Sequence, residues 1–372
     1  MGKTFLITGG AGFIGSHLAD ELLRDGHRVR VLDNLDTQVH GPDAERPDYL
    51  AAEIELIKGD VRDPNKVAEA LHGVDAVFHL AAAVGVGQSM YEIRRYTDIN
   101  NMGTATLLEA LPRANVERLV VASSMSLYGE GLYRDVKDQP VSNARRSREQ
   151  LLRGQWEPQD AQGQTLRPVP TPETKVPELT SVYALGKYDQ ERLCLILGEA
   201  YGIPTTALRL FNVYGPRQAL SNPYTGVLAI FAARYLNDRP PLIFEDGNQR
   251  RDFVSVHDVA RAFYLAYQSP QAAGEVINIG GGVDYSVAEI AARMGDALGK
   301  SHIEPEITGR YRVGDIRHCY ADLSKARELL GYMPNIELEA GLIELAGYLA
   351  SATAVDHSSR AHEELAAHGL TL

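Results

Sequence analysis

Residues 4 to 15 read Thr4-Phe5-Leu6-Ile7-Thr8-Gly9-Gly10-Ala11-Gly12-Phe13-Ile14-Gly15. The first five residues predict a buried strand, and the glycine pattern after them opens a helix predicted over 13–25. Glycines at this spacing permit a tight turn and let a pyrophosphate approach the N–H groups at a helix amino terminus. The stretch therefore predicts a dinucleotide-binding turn. The residues expected to contact the dinucleotide here are Gly9, Gly12, Phe13, Ile14 and Gly15.

Outward from this turn, short apolar strands alternate with helices. Further strands are predicted over Arg28–Asp33, Glu55–Gly59, Ala76–Ala81 and Arg118–Ser123. Helices are predicted over Pro64–Leu71 and Asn101–Ala110. This alternation indicates an α/β fold, a Rossmann-type doubly wound parallel sheet with both faces covered. A smaller C-terminal α/β substrate domain is expected to follow it.

Composition divides the chain further. Residues 1–208 are predicted to form the dinucleotide-binding domain, which also receives part of 239–266, and residues 209–350 mainly the substrate domain. A polar, proline-rich insertion interrupts the first domain at about 130–180, with one short helix near Ser147–Arg153. Its role is left open between a lid, an interface and a passive loop. Residues 351–372 are predicted to form a helical tail.

Charge and cysteine content exclude several classes of protein. The 372 residues carry 37 Lys and Arg against 49 Asp and Glu, a formal charge of −12, which argues against nucleic-acid or anionic-membrane partners. No apolar run approaches the ~18 residues of a membrane span. Cys194 and Cys319 are too few for a disulfide framework or a zinc cluster, so reduced thiols, a cytoplasmic location and no metal site are expected.

Acidic residues at the strand ends predict which dinucleotide binds. Asp33 ends the second strand, where a carboxylate accepts hydrogen bonds from the adenosine ribose hydroxyls and repels a 2′-phosphate. No arginine follows it in Asn34-Leu35-Asp36, so NAD is favoured over NADP. Asp60 and Val61, after the third strand, are expected near the adenine ring, although Asp60 could equally start the helix at Pro64.

A tyrosine and a lysine share one helix face. Tyr183 and Lys187 are four residues apart within a helix predicted over Val182–Tyr201. A lysine ammonium near the phenol favours the tyrosinate and would lower the tyrosine pKa from ~10 towards neutrality. The pair therefore predicts a general base for a sugar hydroxyl, with Ser124, at the end of another strand, holding or shuttling the proton.

Together these motifs resemble the extended short-chain dehydrogenase/reductase family, in its nucleotide-sugar branch. Further matching stretches lie downstream, at Arg209–Pro216, Gly247–Asp258, Asn278–Gly280 and Arg312–Asp315. The resemblance implies that the chain is an enzyme that binds NAD and a nucleotide-diphosphate sugar. It also implies a homodimer formed by the helix after Asn100 and the helix that carries Tyr183.

The resemblance assigns further residues to the site. Asn100 would lie near the nicotinamide, and Asn212 would contact the substrate phosphates or sugar. Arg251 and Arg312 would clamp the pyrophosphate, which on an acidic protein requires guanidinium donors. Additional cofactor contacts are expected from Asn34, Leu80, Ala81 and Ala82. The substrate contacts are expected from Val84, Ser124, Met125, Ser126, Asn212, Val227, Arg251, Arg312 and Asp315.

The strand-end motif favours one reaction of the branch. Dehydratases and decarboxylases of the branch carry an acid where this chain has Met125 and Ser126. Oxidation at C4 to a 4-keto sugar, rotation of the sugar and re-reduction on the opposite face need no such acid. The expected activity is therefore that of an isomerase, an NAD-dependent nucleotide-sugar 4-epimerase.

Within the branch, the chain is most similar to dTDP-L-rhamnose 4-epimerases. The similar stretches are Ala83–Met90, Ser124–Tyr133, Ser221–Val227 and Tyr311–Cys319. Val84, Val86 and Met125 would suit the methyl group of a 6-deoxy sugar or ordinary packing. The alternatives are a UDP-glucose or UDP-glucuronate 4-epimerase, an NADP-dependent ketoreductase, and a non-catalytic nucleotide-sensing relative.

Overall fold

Short strands recur along the chain in this computed structural model, which describes residues 2–42, 44–219, 226–312, 314–350, 364 and 366–370. The first nine are β1 Thr4–Thr8, β2 Arg28–Asp33, β3 Glu55–Lys58, β4 Ala76–His79, β5 Arg118–Ser124, β6 Leu132–Arg134, β7 Pro140–Val141, β8 Arg167–Val169 and β9 Thr205–Leu210. The others are β10 Asn212–Tyr214, β11 Leu242–Ile243, β12 Arg250–Ser255, β13 Val276–Ile279, β14 Asp284–Ser286, β15 Glu306–Ile307 and β16 His318–Cys319.

Helices connect these strands. The helices of the first half are α1 Phe13–Arg24, α2 Thr37–His40, α3 Pro64–Leu71, α4 Val86–Ser89, α5 Ile93–Thr97, α6 Gly103–Ala110 and α7 Arg148–Leu152. Those of the second half are α8 Val182–Tyr201, α9 Val227–Leu236, α10 Val256–Gln268, α11 Val287–Ala297, α12 Ser324–Leu330 and α13 Leu338–Ala350. Shorter single turns are the π-helical Asp98–Met102 and the 3₁₀ segments Leu111–Arg113, Met125–Tyr128 and Pro270–Ala272.

Seven strands form one parallel sheet in the order β13-β9-β5-β4-β1-β2-β3. In its centre Phe5 pairs with Val29 on β2 and with Ala76 on β4. The chain leaves β1 for β2 on one side and later enters β4 on the other, so the strand order reverses between β1 and β4. A cleft forms at such a reversal, outside the carboxyl ends of the strands, which is where this fold binds ligands. The α/β doubly wound sheet predicted from the sequence is confirmed.

The core lies on both faces of this sheet. Phe5 and Ile7 of β1 pack into one apolar cluster, while Leu6 packs into a second cluster on the opposite face. Helix α10 packs with the first cluster through Val259 and Phe263. Because successive strand residues point to opposite faces, burial on both sides explains why β1 is apolar throughout its middle.

Helix α8 has clear start and stop signals. The Ser181 side chain accepts a hydrogen bond from the Ala184 N–H at the amino end, and Gly202 ends the helix in a left-handed conformation with φ of 67°. The cap fixes the register of the first turn, in which Tyr183 lies. The Ser181 cap therefore fixes where the helix begins and, with it, the position of Tyr183 in the first turn.

The insertion is tied to the carboxyl-terminal part of the chain. Strand β6 pairs with β7 and β8 in a small antiparallel sheet. Arg146, in the insertion, forms an ion pair with the fully buried Glu245 at 2.6 Å. Arg317 bonds both Glu245 and Glu157 of the insertion, so buried charges join the two segments. The short helix α7 lies within the predicted Ser147–Arg153.

The structure departs from the predicted boundaries in a few places. The boundary at 208/209 falls inside β9, and β13 joins the large sheet, so the segment 256–279 belongs with that sheet rather than only part of 239–266. The helix predicted over Asn101–Ala110 begins earlier, because α5 and a π-helical turn precede α6. The stretch 221–225 and most of the predicted tail lie outside the described residues.

Two features are missing from the described part of the chain. None of its helices combines the length and the apolar character needed to cross a bilayer. Within the same ranges, no group of three or more His, Cys, Asp or Glu side chains is placed to hold a metal ion.

Candidate active site

A cavity of about 470 Å³ opens outside the carboxyl ends of the central strands. Its wall is contributed by the turn after β1, the ends of β2 and β4, the end of β5 and the start of α8. Many of the residues predicted from the sequence share this wall. These residues are Gly9, Gly12, Phe13, Ile14, Gly15, Asp33, Asn34, Asp60, Val61, Leu80, Ala81, Ala82, Val84, Ser124, Tyr183, Lys187, Asn212 and Val227.

The glycine turn is shaped for close approach of a ligand to the backbone. Gly9 has a φ of 71°, a conformation that favours glycine, and a Cβ on Gly15 would come within 2.4 Å of the Gly9 carbonyl oxygen. The first turn of α1 holds no acidic residue. The residues of this turn line the cavity, so the positive end of the helix dipole lies at its wall, which suits a pyrophosphate.

Asp33 connects the glycine turn with the end of β2. Its carboxylate accepts hydrogen bonds from the Ala11 N–H at 3.0 Å and from the Leu35 N–H at 2.9 Å. Burial raises the pKa of Asp33, while the two backbone donors and nearby His40 lower it. Oxygen lone pairs that the backbone leaves unused are available to ribose hydroxyls. The residues present thus fit the adenosine half of a dinucleotide.

Asp60 also lies on the cavity wall, where Arg62 engages it. The guanidinium of Arg62 bonds Asp60 at 2.7 Å, and the amide of Asn34 donates to the same carboxylate at 3.2 Å. These bonds lower the pKa of Asp60. The helix-start alternative does not hold in this structure, because the side chain that caps α3 is Asp63.

Tyr183 and Ser124 meet across the cavity. The Ser124 oxygen accepts hydrogen bonds from the N–H of Ser126 at 3.2 Å and from its hydroxyl at 2.9 Å. With those bonds accepted, the Ser124 hydroxyl proton is free to be donated to the Tyr183 oxygen. A hydrogen bond from Ser124 lowers the pKa of Tyr183, whereas burial raises it by a larger amount. Ser126 therefore acts on the site through Ser124.

The lowered tyrosine pKa predicted from the sequence is not found. Tyr183 and Lys187 are both buried, and the pKa of Tyr183 is raised overall. Burial lowers the pKa of Lys187 to about 8. Its amine donates to Gln190 Oε1 at 2.8 Å rather than to the phenol. Helical spacing places the two side chains on one face, but it does not determine where the lysine amine points.

Asn100 lies behind the cavity rather than on its wall. It sits in the π-helical turn between α5 and α6 and is fully buried. Its carboxamide accepts from the Ala83 N–H at 2.7 Å and donates to the Ala83 carbonyl at 3.1 Å. Asn100 thus holds the backbone of the loop after β4, part of which lines the cavity.

The predicted arginine clamp is not assembled on this cavity wall. Arg251 donates to the backbone carbonyls of Arg250 and Arg317, both at 2.9 Å, and to that of Ile316. Arg312 forms an ion pair with Asp315 at 2.9 Å, and its guanidinium lies 4.5 Å from the ring centre of Phe244. Buried or half-buried guanidinium groups need partners, and the backbone and Asp315 supply them here.

Met125 is also absent from the wall of the cavity. It belongs to the buried apolar cluster that also contains Tyr128 and Ala122. Val84 and Val86, named with it for an apolar sugar group, do line the cavity and are 53% and 37% exposed.

Sequence reasoning missed a polar cluster around Arg95. Arg95 lines the cavity and bonds Asp36 at 3.2 Å, Glu92 at 2.9 Å and the Gln38 side chain at 2.8 Å. Two carboxylates balance its charge, so it is not placed to accept the 2′-phosphate of NADP. Arg95 lies in α5 and Gln38 lies in α2, far apart in the sequence. No local sequence pattern predicts that these two short helices contact each other.

Comparison with known proteins agrees with this geometry. The family model described as "NAD dependent epimerase/dehydratase family" matches residues 5–150 and 159–280. A dTDP-L-rhamnose 4-epimerase of Burkholderia thailandensis is 37% identical over 353 residues, covering 94% of this chain and 95% of that protein.

Solved structures show the same similarity. UDP-glucose 4-epimerase of Thermotoga maritima, with UDP-glucose, superposes with a TM-score of 0.75 at 31% identity, covering 93% of this chain and 98% of the other. UDP-glucuronic acid 4-epimerase of Bacillus cereus, a tyrosine-to-phenylalanine mutant in complex with a fluorinated UDP-sugar and NAD, superposes with a TM-score of 0.76 at 29% identity. That comparison covers 93% of this chain and 99% of the other.

Proposed function

Because this chain belongs to the NAD-dependent epimerase/dehydratase family, we propose that it is a 4-epimerase of nucleotide sugars whose substrate is dTDP-L-rhamnose. Its cofactor is NAD, as in the family. The cavity supports this assignment through the glycine turn and Asp33 at one end and through Ser124 and Tyr183 at the other.

The observation that carries the reaction type is the distribution of carboxylates. Among the described residues that line the cavity, the acids are Asp33, Asp36 and Asp60, at the end of β2 or on the segments after β2 and β3. At the Tyr183 end, the wall carries Ser123, Ser124, Lys187 and apolar residues instead. Elimination of water or loss of a carboxylate calls for an acid or base beyond the tyrosine. Epimerisation at C4 does not, so this wall favours it.

The residues of the chain divide the proton chemistry between them. Tyr183 takes the proton of the C4 hydroxyl and later returns it, while the Ser124 hydroxyl stabilises the charge on the Tyr183 oxygen by hydrogen bonding to it. Bound NAD would supply the hydride chemistry that oxidation and re-reduction at C4 require. Asn212 lines the same cavity, which supports a role for it in orienting the sugar or its phosphates. Because hydride is returned, no net change in NAD oxidation state is expected.

The choice of dTDP-L-rhamnose has two supports. One is the 37% identity with a dTDP-L-rhamnose 4-epimerase along almost the whole chain. The other is that the described part of the cavity lining offers no unengaged cation for a sugar carboxylate. The described lining offers Arg95, which two acids already engage, together with His40 near Asp33 and the catalytic candidate Lys187. Apolar Val84 and Val86 suit a C6 methyl group better than a glucuronate.

The test is incubation of the purified protein with dTDP-, UDP-, GDP- and CDP-sugars, with the products identified by NMR. We expect dTDP-L-rhamnose to convert to its 4-epimer without net consumption of NADH or NADPH. Faster conversion of UDP-glucose than of dTDP-L-rhamnose would show that the protein is a UDP-glucose 4-epimerase instead. Products of dehydration or decarboxylation, or stoichiometric use of NADPH, would overturn the reaction type.

A further inference from the structure

Gln190 lies three residues beyond Lys187 in α8 and is 1% exposed. The Lys187 amine donates to its Oε1 atom at 2.8 Å. A buried ammonium needs a hydrogen-bond acceptor, and here that acceptor is a neutral amide oxygen rather than a carboxylate. The proposed reaction does not itself require a glutamine, so its role needs an explanation.

The orientation of the Gln190 amide follows from its other bonds. Its Nε2 donates to Thr104 Oγ1 at 2.8 Å and to the Ala81 carbonyl at 3.3 Å. The Thr104 hydroxyl donates its own proton to the Asn100 carbonyl at 2.6 Å, so towards Gln190 its oxygen can only accept. Gln190 Nε2 also lies 3.3 Å from His79 Nε2. Turning the amide over would place Oε1 against the Thr104 and Ala81 acceptors, and it would place the Nε2 donor against the Lys187 ammonium, which is also a donor. Gln190 is therefore held with Oε1 towards Lys187.

The titratable groups around Lys187 do not replace this acceptor. His79, from β4, bonds Thr8 and Thr104 and stays neutral, because burial lowers its pKa to about 3. On α8 itself, the Glu191 carboxylate is engaged by Arg209 at 2.7 Å and by the Ser123 hydroxyl at 2.6 Å. Cys194 stays a thiol, since burial raises its pKa to about 12.

We propose that Gln190 is a positioning residue that keeps Lys187 protonated and fixed on the cavity wall that it shares with Tyr183, and so favours the tyrosinate. A carboxylate at this position would cancel the charge of the ammonium, and an apolar side chain would leave the ammonium without an acceptor. A neutral acceptor keeps the full positive charge available to the phenolate. The inference rests on the proposed function and adds to it the residue that sets the working pH of the base.

The experiment compares Gln190→Met, which keeps length and helix propensity, with wild type. Thr104→Val, which removes only the acceptor that orients Gln190, is the second variant, and Gln164→Met in the exposed part of the insertion is the matched control. For Gln190→Met we expect the acid limb of the kcat profile to move up by about one pH unit, with kcat below that limb falling ~10-fold. KM for the nucleotide sugar and the NAD bound per subunit should change by less than about two-fold, since Gln190 does not line the cavity. Thr104→Val should move the limb in the same direction, and the control should not move it.

A second readout needs no substrate. Ultraviolet difference titration against Tyr183→Phe isolates the ionisation of Tyr183, and its midpoint should rise in Gln190→Met. An unchanged midpoint and an unchanged acid limb in a folded, NAD-loaded Gln190→Met protein would overturn the positioning role. If wild type converts no nucleotide sugar, the proposed function fails, while the titration still decides the role of Gln190.

Discussion

Tyr183 is the residue on which the proposed reaction depends most directly. Hydrogen bonding with Ser124 lowers the pKa of its hydroxyl, and its side chain lines the cavity together with Lys187. Burial raises the pKa of Tyr183, so formation of the tyrosinate depends on the groups that surround the phenol. This dependence gives a function to the hydrogen bonds that Lys187 and Gln190 form next to the cavity.

Replacement of Tyr183 by phenylalanine removes the proton acceptor without changing the packing. We expect kcat to fall by about 10²- to 10⁴-fold, the usual contribution of general acid–base catalysis, while bound NAD stays at the wild-type level. The measurement is steady-state turnover together with the NAD content of the purified protein. Tyr201→Phe, at the exposed end of the same helix, is the control. Turnover within a few-fold of wild type would exclude the assigned role.

Asp33 joins cofactor binding to the geometry of the glycine turn. In Asp33→Asn, one amide oxygen can replace one carboxylate oxygen, but the –NH₂ group then faces a backbone N–H donor. Lost charge-assisted bonds of about 1.5–3 kcal/mol predict a rise of roughly 10- to 100-fold in the Kd of NAD. Isothermal titration calorimetry checks this, with the exposed Asp48→Asn as control. An unchanged Kd would show that the carboxylate does not hold the adenosine.

For single residues, the sequence predicted which residues line the cavity better than it predicted where their side chains point. The glycine turn, Asp33, Ser124, Tyr183 and Lys187 all lie on one cavity wall. The direction of the Lys187 amine depends on Thr104 and Ala81, which lie far away in sequence. No local pattern encodes such a bond, because it exists only once α8 has packed against α6 and the loop after β4.

Among the elements, the insertion differs most from its sequence-based description. It is polar in sequence, yet part of its charge is buried. The Arg317 side chain is 1% exposed and bonds Glu245, Asp246 and Glu157. Glu130 accepts hydrogen bonds from the N–H groups of Arg317 and His318, which adds backbone contacts to the ion pairs. The insertion is therefore a fixed part of the fold around strand β16 rather than a passive loop.

Removal of one charge from this cluster should be costly. Arg317→Met leaves Glu245, whose side chain is fully buried, with one cation fewer. We expect a loss of about 3–5 kcal/mol in the free energy of unfolding, measured by urea denaturation. Arg145→Met, at a side chain that is 79% exposed, should change it by less than about 0.5 kcal/mol. A loss below about 1 kcal/mol for Arg317→Met would mean that the cluster does not anchor the insertion.

For the whole molecule, acid stability reflects its buried histidines. His79 is fully buried with a pKa lowered to about 3 from 6.5, because burial penalises the charged form. The unfolded chain binds a proton as the pH falls through ~6.5 and the folded protein does not, so stability is lost from there down to the folded pKa. His17 acts in the same direction, with a pKa of about 4. Asp252, whose pKa is raised to about 7, opposes them, since its stabilising proton is lost as the pH rises.

His79→Gln should reduce this acid sensitivity. Removal of one such group lowers the slope of unfolding free energy against pH by about 1.4 kcal/mol per pH unit between about pH 4 and 6. Urea denaturation at a series of pH values measures the slope, which is compared within each variant because the substitution also changes stability itself. The exposed His72→Gln is the control. Equal slopes in wild type and His79→Gln would contradict the lowered pKa.

The amino-acid sequence by itself determined the alternation of strands and helices, the glycine turn, the acid at the end of β2 and the tyrosine–lysine spacing on α8. These features are encoded within a few residues, by apolar periodicity, capping and the freedom of glycine. Only the tertiary structure decided three sets of hydrogen bonds. The Asn100 side chain accepts from the Ala83 N–H, and Arg251 donates to the carbonyls of Ile316 and Arg317. The Lys187 amine donates to Gln190. Each of these depends on side chains from distant segments competing for the same buried donors and acceptors, and that competition is resolved only when the segments pack together.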